Sequence, residues 1–198
     1  MMYRPRVLAL AGSLRKKSLN KALVEIAALG AEDAGAEVKV LDLRDYPLPV
    51  FDGDAEARDG APEAVRALKR EFMAHDGLLI ASPEYNGSLT AALKNAIDWI
   101  SRQEEGEPPF AAFDGKVAGL LSASPGKLGG LRGLAHLRQI LSGVRVLVIP
   151  EQYALANARD ALSVGEGHAG KGLREPEQDA AVRAIGARVC DLARRLNN

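Results

Sequence analysis

Hydrophobic residues along the chain form short runs separated by longer stretches of helical spacing. Five of the runs predict β-strands, because they are either continuously apolar or alternate between apolar and polar positions. They are VLALAG (7–12), AEVKVLDL (36–43), GLLIASP (77–83), KVAGLLSAS (116–124) and VRVLVIP (144–150). The first and third are continuously apolar, which is typical of strands covered on both faces.

The stretches between these runs predict helices. Apolar residues recur at helical spacing over 20–35, 61–76, 89–102 and 133–143, and an amphipathic pattern covers 176–196. Gly35 is expected to end the first helix, and Pro62 lies in the first turn of the second. Five β units joined by crossover helices predict an α/β fold, with a parallel sheet covered by helices on both faces. We expect residues 1–198 to form a single domain.

Composition and charge argue against several classes of partner. Lysine plus arginine and aspartate plus glutamate number 26 each, so the net charge is zero, which argues against nucleic acid and anionic membranes as partners. The opening MMYRPRVLALAG has too short an apolar stretch for a signal peptide, and no run approaches the ~20 apolar residues of a membrane span. Cys190 is the single cysteine, so an internal disulfide is excluded. We expect a cytoplasmic protein.

Chemistry-bearing segments follow three of the predicted strands. They are GSLRKKSLN after the first strand, SPEYNGSLT after the third and SASPGKLGG after the fourth. Ligands of open parallel sheets bind beyond the carboxyl ends of the strands, where the strand order reverses. The three segments are therefore expected to converge on one site.

The first segment favours a ligand with a single terminal phosphate over a nucleoside triphosphate or a dinucleotide. Lys17 and Ser18 stand where a Walker A loop needs glycine and lysine, and Leu14 stands at the second glycine of a dinucleotide fingerprint. The candidate ligands are backbone N–H groups at the helix start and the side chains of Ser13, Arg15, Ser18 and Asn20. The alternative that Ser18 caps the helix is compatible with this role. Lys16 and Lys17 are expected to be solvated rather than to bind the phosphate.

The second segment predicts a site for a flat ligand. Tyr85 offers an aromatic surface, Asn86 offers an amide, and Gly87 leaves room where a planar ring approaches. The alternative interpretation is a plain polar turn. Ile97 and Trp99, which follow on the next helix, are expected to belong to the core.

These motifs together resemble the NADPH-dependent FMN reductase family of flavodoxin-like proteins, the group containing soluble quinone, azo-dye and chromate reductases. GSLRKKSLN resembles the family's phosphate loop G-S-x-R-x-x-S-x-N, SPEYNGSLTAALKNAIDW its flavin-ring segment, and SASPGKLGG its third loop. The resemblance covers about residues 6–150, and it departs at Lys17, where several relatives carry glycine. It implies a flavodoxin-like three-layer sandwich with a five-stranded parallel sheet in the order 2-1-3-4-5.

The resemblance also implies non-covalently bound FMN and its ligands. Positions that match the family's cofactor contacts are Ser13, Arg15, Ser18, Asn20, Pro83, Glu84, Tyr85, Asn86, Gly87 and Ser124. The implied function is an NAD(P)H-dependent oxidoreductase in which NADPH or NADH gives hydride through FMN to a flavin, quinone or similar small acceptor. No catalytic side chain is implied, since the cofactor carries the chemistry. Glu84 is expected to contact the ribityl chain or the backbone rather than to act as an acid or base.

Two further expectations rest on the resemblance. A homodimer or homotetramer is implied, and the segment YPLPVFDGD (46–54) is expected to form the rim of the site or to meet another subunit. The alternative function is a flavodoxin-type electron carrier that docks on partner enzymes. The neutral charge of this chain favours the enzyme, because true flavodoxins are usually strongly acidic.

Other candidate residues carry weaker signals. His75, His136 and His168 lack the spacing of metal ligands, and no metal site is predicted. Cys190 is in helical phase with apolar neighbours and is expected in the core. Asp42 ends the second strand where dinucleotide-binding folds place a ribose ligand, but the missing glycine fingerprint argues against that role.

Overall fold

A five-stranded parallel sheet forms the centre of the protein, in a computed structural model that describes residues 3–162 and 172–198. The strands are β1 (Arg6–Ala11), β2 (Glu37–Leu41), β3 (Gly77–Ala81), β4 (Val117–Ala123) and β5 (Leu147–Leu155). Their order across the sheet is β2-β1-β3-β4-β5, and every neighbouring pair is parallel. The predicted α/β class and strand order are confirmed.

Helices cover both faces of this sheet. They are α1 (Leu19–Asp33), α2 (Gly53–Asp59), α3 (Glu63–Met73), α4 (Ala91–Ile100), α5 (Leu131–Gly143), α6 (Ala158–Ala161) and α7 (Pro176–Leu196), with a 3-10 turn at Leu43–Asp45. One apolar cluster joins the sheet to α1 and α7, and a second joins it to α3, α4 and α5. The result is a three-layer α/β/α arrangement.

The predicted core residues lie in these clusters. All residues of β3 and β4 are buried, as their continuous apolar runs require. Ile97 and Trp99 are buried on α4, and Cys190 is fully buried on α7. Burial raises the pKa of the Cys190 thiol, which suits a side chain packed inside the protein.

Two glycines let α1 and α7 cross at very short range. A Cβ at Gly186 would lie 1.8 Å from the carbonyl oxygen of Ala27, and one at Gly30 would lie 2.0 Å from that of Arg183. Each helix therefore presents bare backbone to the other, and α7 packs directly on α1, the helix that begins at the end of the GSLRKKSLN segment.

The fifth strand differs from its predicted bounds of 144–150. Val144 and Arg145 form the turn after α5, where Arg145 adopts a positive φ of 71°, so the strand begins only at Leu147. The strand then continues past Pro150, because the register against β4 shifts between Ala118 and Leu120. Such an irregularity accommodates a proline, which has no N–H to donate to the ladder.

Three short elements were not predicted: the 3-10 turn, α2 and α6. The helix α2 lies between the predicted second strand and the predicted helix 61–76, where no element was predicted, and Asp52 caps it by accepting hydrogen bonds from the N–H groups of Asp54 and Ala55. Within residues 3–162 and 172–198, no helix is long and apolar enough to cross a bilayer.

Candidate functional site

Most of the predicted site residues meet in one cleft at the carboxyl ends of β1, β3 and β4. The cleft has a volume of about 170 Å³. Its lining includes the predicted residues Ser13, Arg15, Ser18, Asn20, Pro83, Glu84, Tyr85 and Ser124, together with Lys17, Leu19, Ala123, Pro125 and Arg159. Asn86 and Gly87 line an adjoining open depression of about 490 Å³, which they share with Glu84 and Ser124. The convergence expected from the sequence is therefore present.

The first loop is fixed at both of its ends. Gly12 donates its N–H to the carbonyl of Ala81 at 2.9 Å, and its own carbonyl accepts a 2.6 Å hydrogen bond from the Thr90 hydroxyl. At the other end, the Ser18 hydroxyl accepts from the N–H of Asn20 at 3.2 Å and so caps α1. The Ser13 hydroxyl accepts from the N–H of Arg15 at 3.3 Å. The capping role of Ser18 leaves its hydroxyl hydrogen free to donate.

Asn20 joins the start of α1 to the end of β4. Its Nδ2 donates to the carbonyl of Ala123 and its Oδ1 accepts from the N–H of the same residue, both at 2.9 Å. The side chain is almost fully buried. One amide hydrogen remains for a phosphate, so the structure gives Asn20 a bracing role beside its predicted binding role.

The exposed cationic side chains near the cleft differ in whether they line it. Arg15, Lys16, Lys17 and Arg159 are all exposed, but Lys16 is absent from the cleft lining. Lys17, which was expected to be solvated, is exposed and also lines the cleft. Arg159 belongs to α6 and was not predicted, because its position follows from the turn after β5 rather than from a local motif.

The second loop folds back on itself at Asn86 and Gly87. Tyr85 and Ser88 exchange two backbone hydrogen bonds, of 2.9 and 3.1 Å, around these two residues. Asn86 has a φ of 53° and Gly87 a φ of 82°. Positive φ at both central positions is the pattern of a type I′ turn, for which Asn-Gly is the preferred sequence. A Cβ at Gly87 would have no neighbour within 4 Å, and Tyr85 is 51% exposed, so the turn projects into open space.

Glu84 holds the second loop against the start of α5. Its carboxylate accepts from the backbone N–H groups of Arg132 and Gly133 at 3.0 and 3.1 Å, and from Arg132 Nε at 2.7 Å. Burial alone would raise the pKa of this carboxyl, but the hydrogen bonds and the Arg132 charge outweigh it, and the net pKa lies below its usual range. Glu84 is therefore ionised at neutral pH.

The third loop connects the cleft to β5 and α6. The Ser124 hydroxyl accepts from the N–H of Gly126 at 3.1 Å, and the Ser124 carbonyl accepts from the N–H of Ala158 at 3.0 Å. Gly130 closes the loop at a φ of 93°, and a Cβ there would lie 1.9 Å from the buried Ser122 hydroxyl. Only glycine allows this backbone to pass so close to β4.

A larger groove lies on the other side of the Tyr85–Ser88 turn. It has a volume of about 940 Å³ and runs between α4 and α5, bordered by Tyr85, Asn86, Ser88, Leu89, Lys94, His136, Gln139 and Ile140, among others. Its lining is mainly apolar, which suits a flat organic molecule.

The segment 46–54 is fastened to α4 beside the first loop. Asn95 accepts from the N–H of Phe51 and donates to the carbonyl of Pro49, which also accepts from Trp99 Nε1, all at 2.8 Å. Phe51 packs edge-on against Trp99 with ring centroids 4.9 Å apart. Val50 is left 84% exposed at the tip. Whether this segment meets another subunit stays a prediction.

The remaining candidates have local partners. The Nδ1 atoms of His75 and His136 lie 2.6 Å from the Glu71 carbonyl and 2.9 Å from the Ser88 hydroxyl, and His168 falls outside the described residues. Among residues 3–162 and 172–198, no group of three or more His, Cys, Asp or Glu side chains could hold a metal ion.

Asp42 is bound by cations of its own chain. Its carboxylate accepts hydrogen bonds from Lys21 Nζ and Arg44 Nη2, each at 2.6 Å. Burial opposes ionisation, but these contacts hold the pKa of Asp42 well below its usual range. The carboxylate is thus occupied within the chain, in keeping with the argument against a ribose-binding role.

Comparison with known proteins identifies the family. The family model for NADPH-dependent FMN reductase matches residues 5–160. The chain belongs to the NADPH-dependent FMN reductase family. An NAD(P)H-dependent FMN reductase of Pseudomonas aeruginosa is 42% identical over 136 residues, which are 69% of this chain and 69% of that protein. The quinone reductase of Escherichia coli K12 is 39% identical over 154 residues, 75% of this chain and 76% of its own.

The fold agrees with solved structures of the same class. FerB of Paracoccus denitrificans, a flavoenzyme NAD(P)H:(acceptor) oxidoreductase, superimposes with a TM-score of 0.77 at 27% identity, covering 96% of this chain and 98% of FerB. The resemblance stated from the motifs is confirmed. The chain is an NAD(P)H-dependent oxidoreductase that uses FMN, and no comparison favours the electron-carrier alternative.

The residues present fit FMN. The first loop offers what a phosphate monoester requires, namely hydroxyls of Ser13 and Ser18, the start of a 15-residue helix and the cation of Arg15. The type I′ turn offers a flat aromatic side chain and a glycine with open space before it. The first loop therefore suits the phosphate end of FMN, and the type I′ turn suits its ring end.

Proposed function

We propose that FMN is held across the three loops of this cleft and that NADPH or NADH reduces a quinone, a flavin or a similar small acceptor there. The observation that carries the proposal is the meeting of a hydroxyl- and cation-lined loop with a type I′ turn in one cleft. FMN supplies the acceptance and release of hydride, a chemistry that no side chain in the cleft provides. The protein itself binds the FMN, orients it and leaves part of its ring open to the substrates.

The first loop is proposed to bind the phosphate. Arg15 supplies a charge-assisted hydrogen bond, and the hydroxyls of Ser13 and Ser18 donate to the remaining phosphate oxygens. The N-terminus of α1 adds its free N–H groups and the positive end of its dipole. Asn20 keeps this loop in register with β4 through its two hydrogen bonds to Ala123 and offers its remaining amide hydrogen.

The second and third loops are proposed to hold the ring and the ribityl chain. Pro83, Glu84 and Tyr85 line the cleft, and Asn86 and Gly87 line the depression that adjoins it. Ser124 closes the opposite side with a hydroxyl that already accepts from Gly126 and keeps its hydrogen to donate.

Glu84 is proposed to position backbone rather than to transfer protons. Its lowered pKa keeps it ionised at neutral pH, so it holds no proton to give. Its oxygens are occupied by Arg132 and Gly133, which makes it a poor base. This arrangement supports the expectation that the site contains no dedicated acid or base.

The groove behind the Tyr85–Ser88 turn is proposed to admit the nicotinamide and the acceptor. Its apolar lining between α4 and α5 suits planar rings, and it shares Tyr85 and Asn86 with the cofactor loops. A quinone and a nicotinamide would then use the same open side of the turn.

The proposal extends to organisation and location. We propose that residues 1–198 form one FMN-binding domain, supported by the packing of α7 on α1 beyond the end of the family match. We also propose a homodimer or homotetramer, for which the highly exposed Val50 in segment 46–54 is a candidate contact. A cytoplasmic location is proposed because a chain with one cysteine cannot form an internal disulfide, the bond that is typical of proteins in oxidising compartments.

Titration of the full-length apo-protein with FMN tests the cofactor site. Arg15→Ala is expected to weaken FMN binding by about 1.5–3 kcal/mol, the usual worth of a hydrogen bond to a charged group. Lys16→Ala is the matched control, because Lys16 lies on the same loop but outside the cleft. Equal affinities for the two variants would remove Arg15 from the phosphate site.

A further inference from the structure

The short helix α6 places an arginine in the cofactor cleft from the far side of the sheet. It follows β5, and β3 and β4 lie between β5 and the strand that carries the first loop. Its start is tied to the third loop, since Ala158 donates its N–H to Ser124 and Asn157 donates to Gly126 at 3.0 and 3.3 Å. Ala158 is fully buried. The next residue, Arg159, is thereby held at the cleft.

The side chain of Arg159 has no polar partner in the described part of the chain. Its side chain is exposed, lines the same cleft as Ser13, Arg15 and Ser18, and forms no hydrogen bond or ion pair with residues 3–162 or 172–198. The one carboxylate in the described cleft lining belongs to Glu84, which Arg132 already neutralises. The positive charge of Arg159 is therefore left facing the cleft.

The charge of a phosphate monoester matches this arrangement. Such a group carries about −1.5 to −2 at neutral pH and presents three strong acceptor oxygens. Arg15 and Lys17 supply cations from the first loop, and Arg159 adds a guanidinium from the other side of the cleft, whose fork of donors can bind two phosphate oxygens at once. We propose that Arg159 is a second cationic ligand of the FMN phosphate and that it makes the cleft prefer a phosphate monoester.

This inference rests on the proposed function and adds a residue and a selectivity to it. Riboflavin has no phosphate for Arg159 to bind. In FAD the phosphate next to the ribityl chain keeps only two terminal oxygens and one negative charge, and the second charge of the pyrophosphate lies on the next phosphate. Two cations that converge on the first phosphate therefore meet less charge in FAD than in FMN. Binding should therefore depend on Arg159 most strongly for FMN, less for FAD and not at all for riboflavin.

The test is a titration of apo-protein with FMN, FAD and riboflavin, followed by the quenching of flavin fluorescence. Arg159→Gln is expected to weaken FMN binding roughly 10-fold or more, as expected for a charge-assisted hydrogen bond. FAD binding should weaken less, and riboflavin binding should equal that of the wild type. Arg159→Lys should restore part of the FMN affinity, because it keeps the charge and loses the fork of donors. Lys16→Gln, a matched loss of charge outside the cleft, should leave all three affinities unchanged.

The outcomes separate this inference from the function on which it rests. If Arg159→Gln binds FMN as Lys16→Gln does, Arg159 is not a ligand. Equal weakening for riboflavin and FMN would show that Arg159 only holds α6 in place, and equal weakening for FAD and FMN would overturn the monoester preference. If the wild type itself binds FMN no more tightly than riboflavin, the proposed phosphate site fails and Arg159 fails with it. Loss of FMN binding in Arg15→Ala without loss in Arg159→Gln would overturn the Arg159 assignment alone.

Discussion

At the residue scale, the shape of the turn proposed to contact the flavin ring depends on the backbone of Asn86 and Gly87. Both have positive φ, and with that geometry Tyr85 and Ser88 exchange two backbone hydrogen bonds. Asparagine tolerates positive φ better than most residues, and glycine tolerates it freely. A β-branched residue at position 87 would therefore strain the turn even though the protein leaves space for its Cβ.

Comparing Gly87→Val with Gly87→Asn separates backbone strain from crowding of the cofactor. Valine at a φ of 82° is expected to cost about 1–2 kcal/mol of folding free energy and to reduce FMN affinity and NADPH oxidation, with near-normal far-ultraviolet circular dichroism. Gly87→Asn is the matched variant, since it fits the backbone but adds a side chain facing the same space. Both variants should lose FMN affinity, and only the valine variant should lose stability. Wild-type FMN affinity in both would place the cofactor away from this turn.

Glu84 supplies a pH-dependent contribution to stability. Its folded pKa lies below its ordinary value of 4.5, so its stabilising effect is complete above that value and disappears as the pH falls through the folded pKa. Glu84→Gln removes the charge and is expected to lower the free energy of unfolding by about 1 kcal/mol at neutral pH.

The difference between wild type and Glu84→Gln should shrink as the pH falls below the ordinary value of 4.5, because the carboxyl then takes up a proton in the unfolded state before it does so in the folded state. Denaturant unfolding at a series of pH values measures this difference. A difference that grows in acid would mean that the pKa of Glu84 is raised rather than lowered.

Individual residues also mark the limit of what the sequence could predict. Ser13, Arg15 and Ser18 were predicted from a local motif, and the structure places them in one cleft. The bracing role of Asn20 depends on Ala123, 103 positions away, and no local pattern reveals it. Arg159 reaches the cleft through a turn after β5, so its place depends on tertiary structure rather than on spacing along the chain.

At the element scale, the crossing of α1 and α7 couples the last helix to the segment that begins the site. The backbones meet at Gly30 and Gly186 with no room for a Cβ. A side chain at either glycine would force the helices apart, and α1 begins directly after Ser18, which lines the cleft.

Gly186→Ala is expected to destabilise the protein by about 1–3 kcal/mol, the usual cost of overpacking, since its Cβ would fall 1.8 Å from the Ala27 carbonyl oxygen. Ala184→Leu, at an exposed position of the same helix, is the matched control and should be nearly neutral. Thermal or denaturant unfolding provides the measurement. If Gly186→Ala proves as stable as the wild type, the two helices do not cross as closely as described.

Elements were predictable where burial dominates the pattern. The strands β1, β3 and β4 are covered on both faces, so their apolar runs were visible in the sequence. The start of β5 was placed too early because Val144 and Val146 are apolar yet complete the end of α5, where both donate their N–H to the Leu141 carbonyl. The helix α2 was missed because it buries none of its residues, and its cap at Asp52 is a weak signal by itself.

At the scale of the whole molecule, the fold brings three loops from distant parts of the chain to one edge of the sheet. The order β2-β1-β3-β4-β5 makes β1, β3 and β4 neighbours, so their carboxyl ends open on the same cleft. The net charge of zero gives no general electrostatic steering toward a protein partner, in keeping with a small-molecule reductase. Its family membership supports the same conclusion.

The most direct test of this account is steady-state oxidation of NADPH by the FMN-loaded protein alone, with a quinone at several fixed concentrations. We expect turnover without any partner protein and parallel double-reciprocal lines, the pattern of ping-pong kinetics, because the nicotinamide and the acceptor are proposed to occupy the groove beside Tyr85 in turn. Intersecting lines would show that the two substrates bind together at separate sites. Failure to oxidise NADPH unless a partner protein is added would contradict the reductase function and favour an electron carrier.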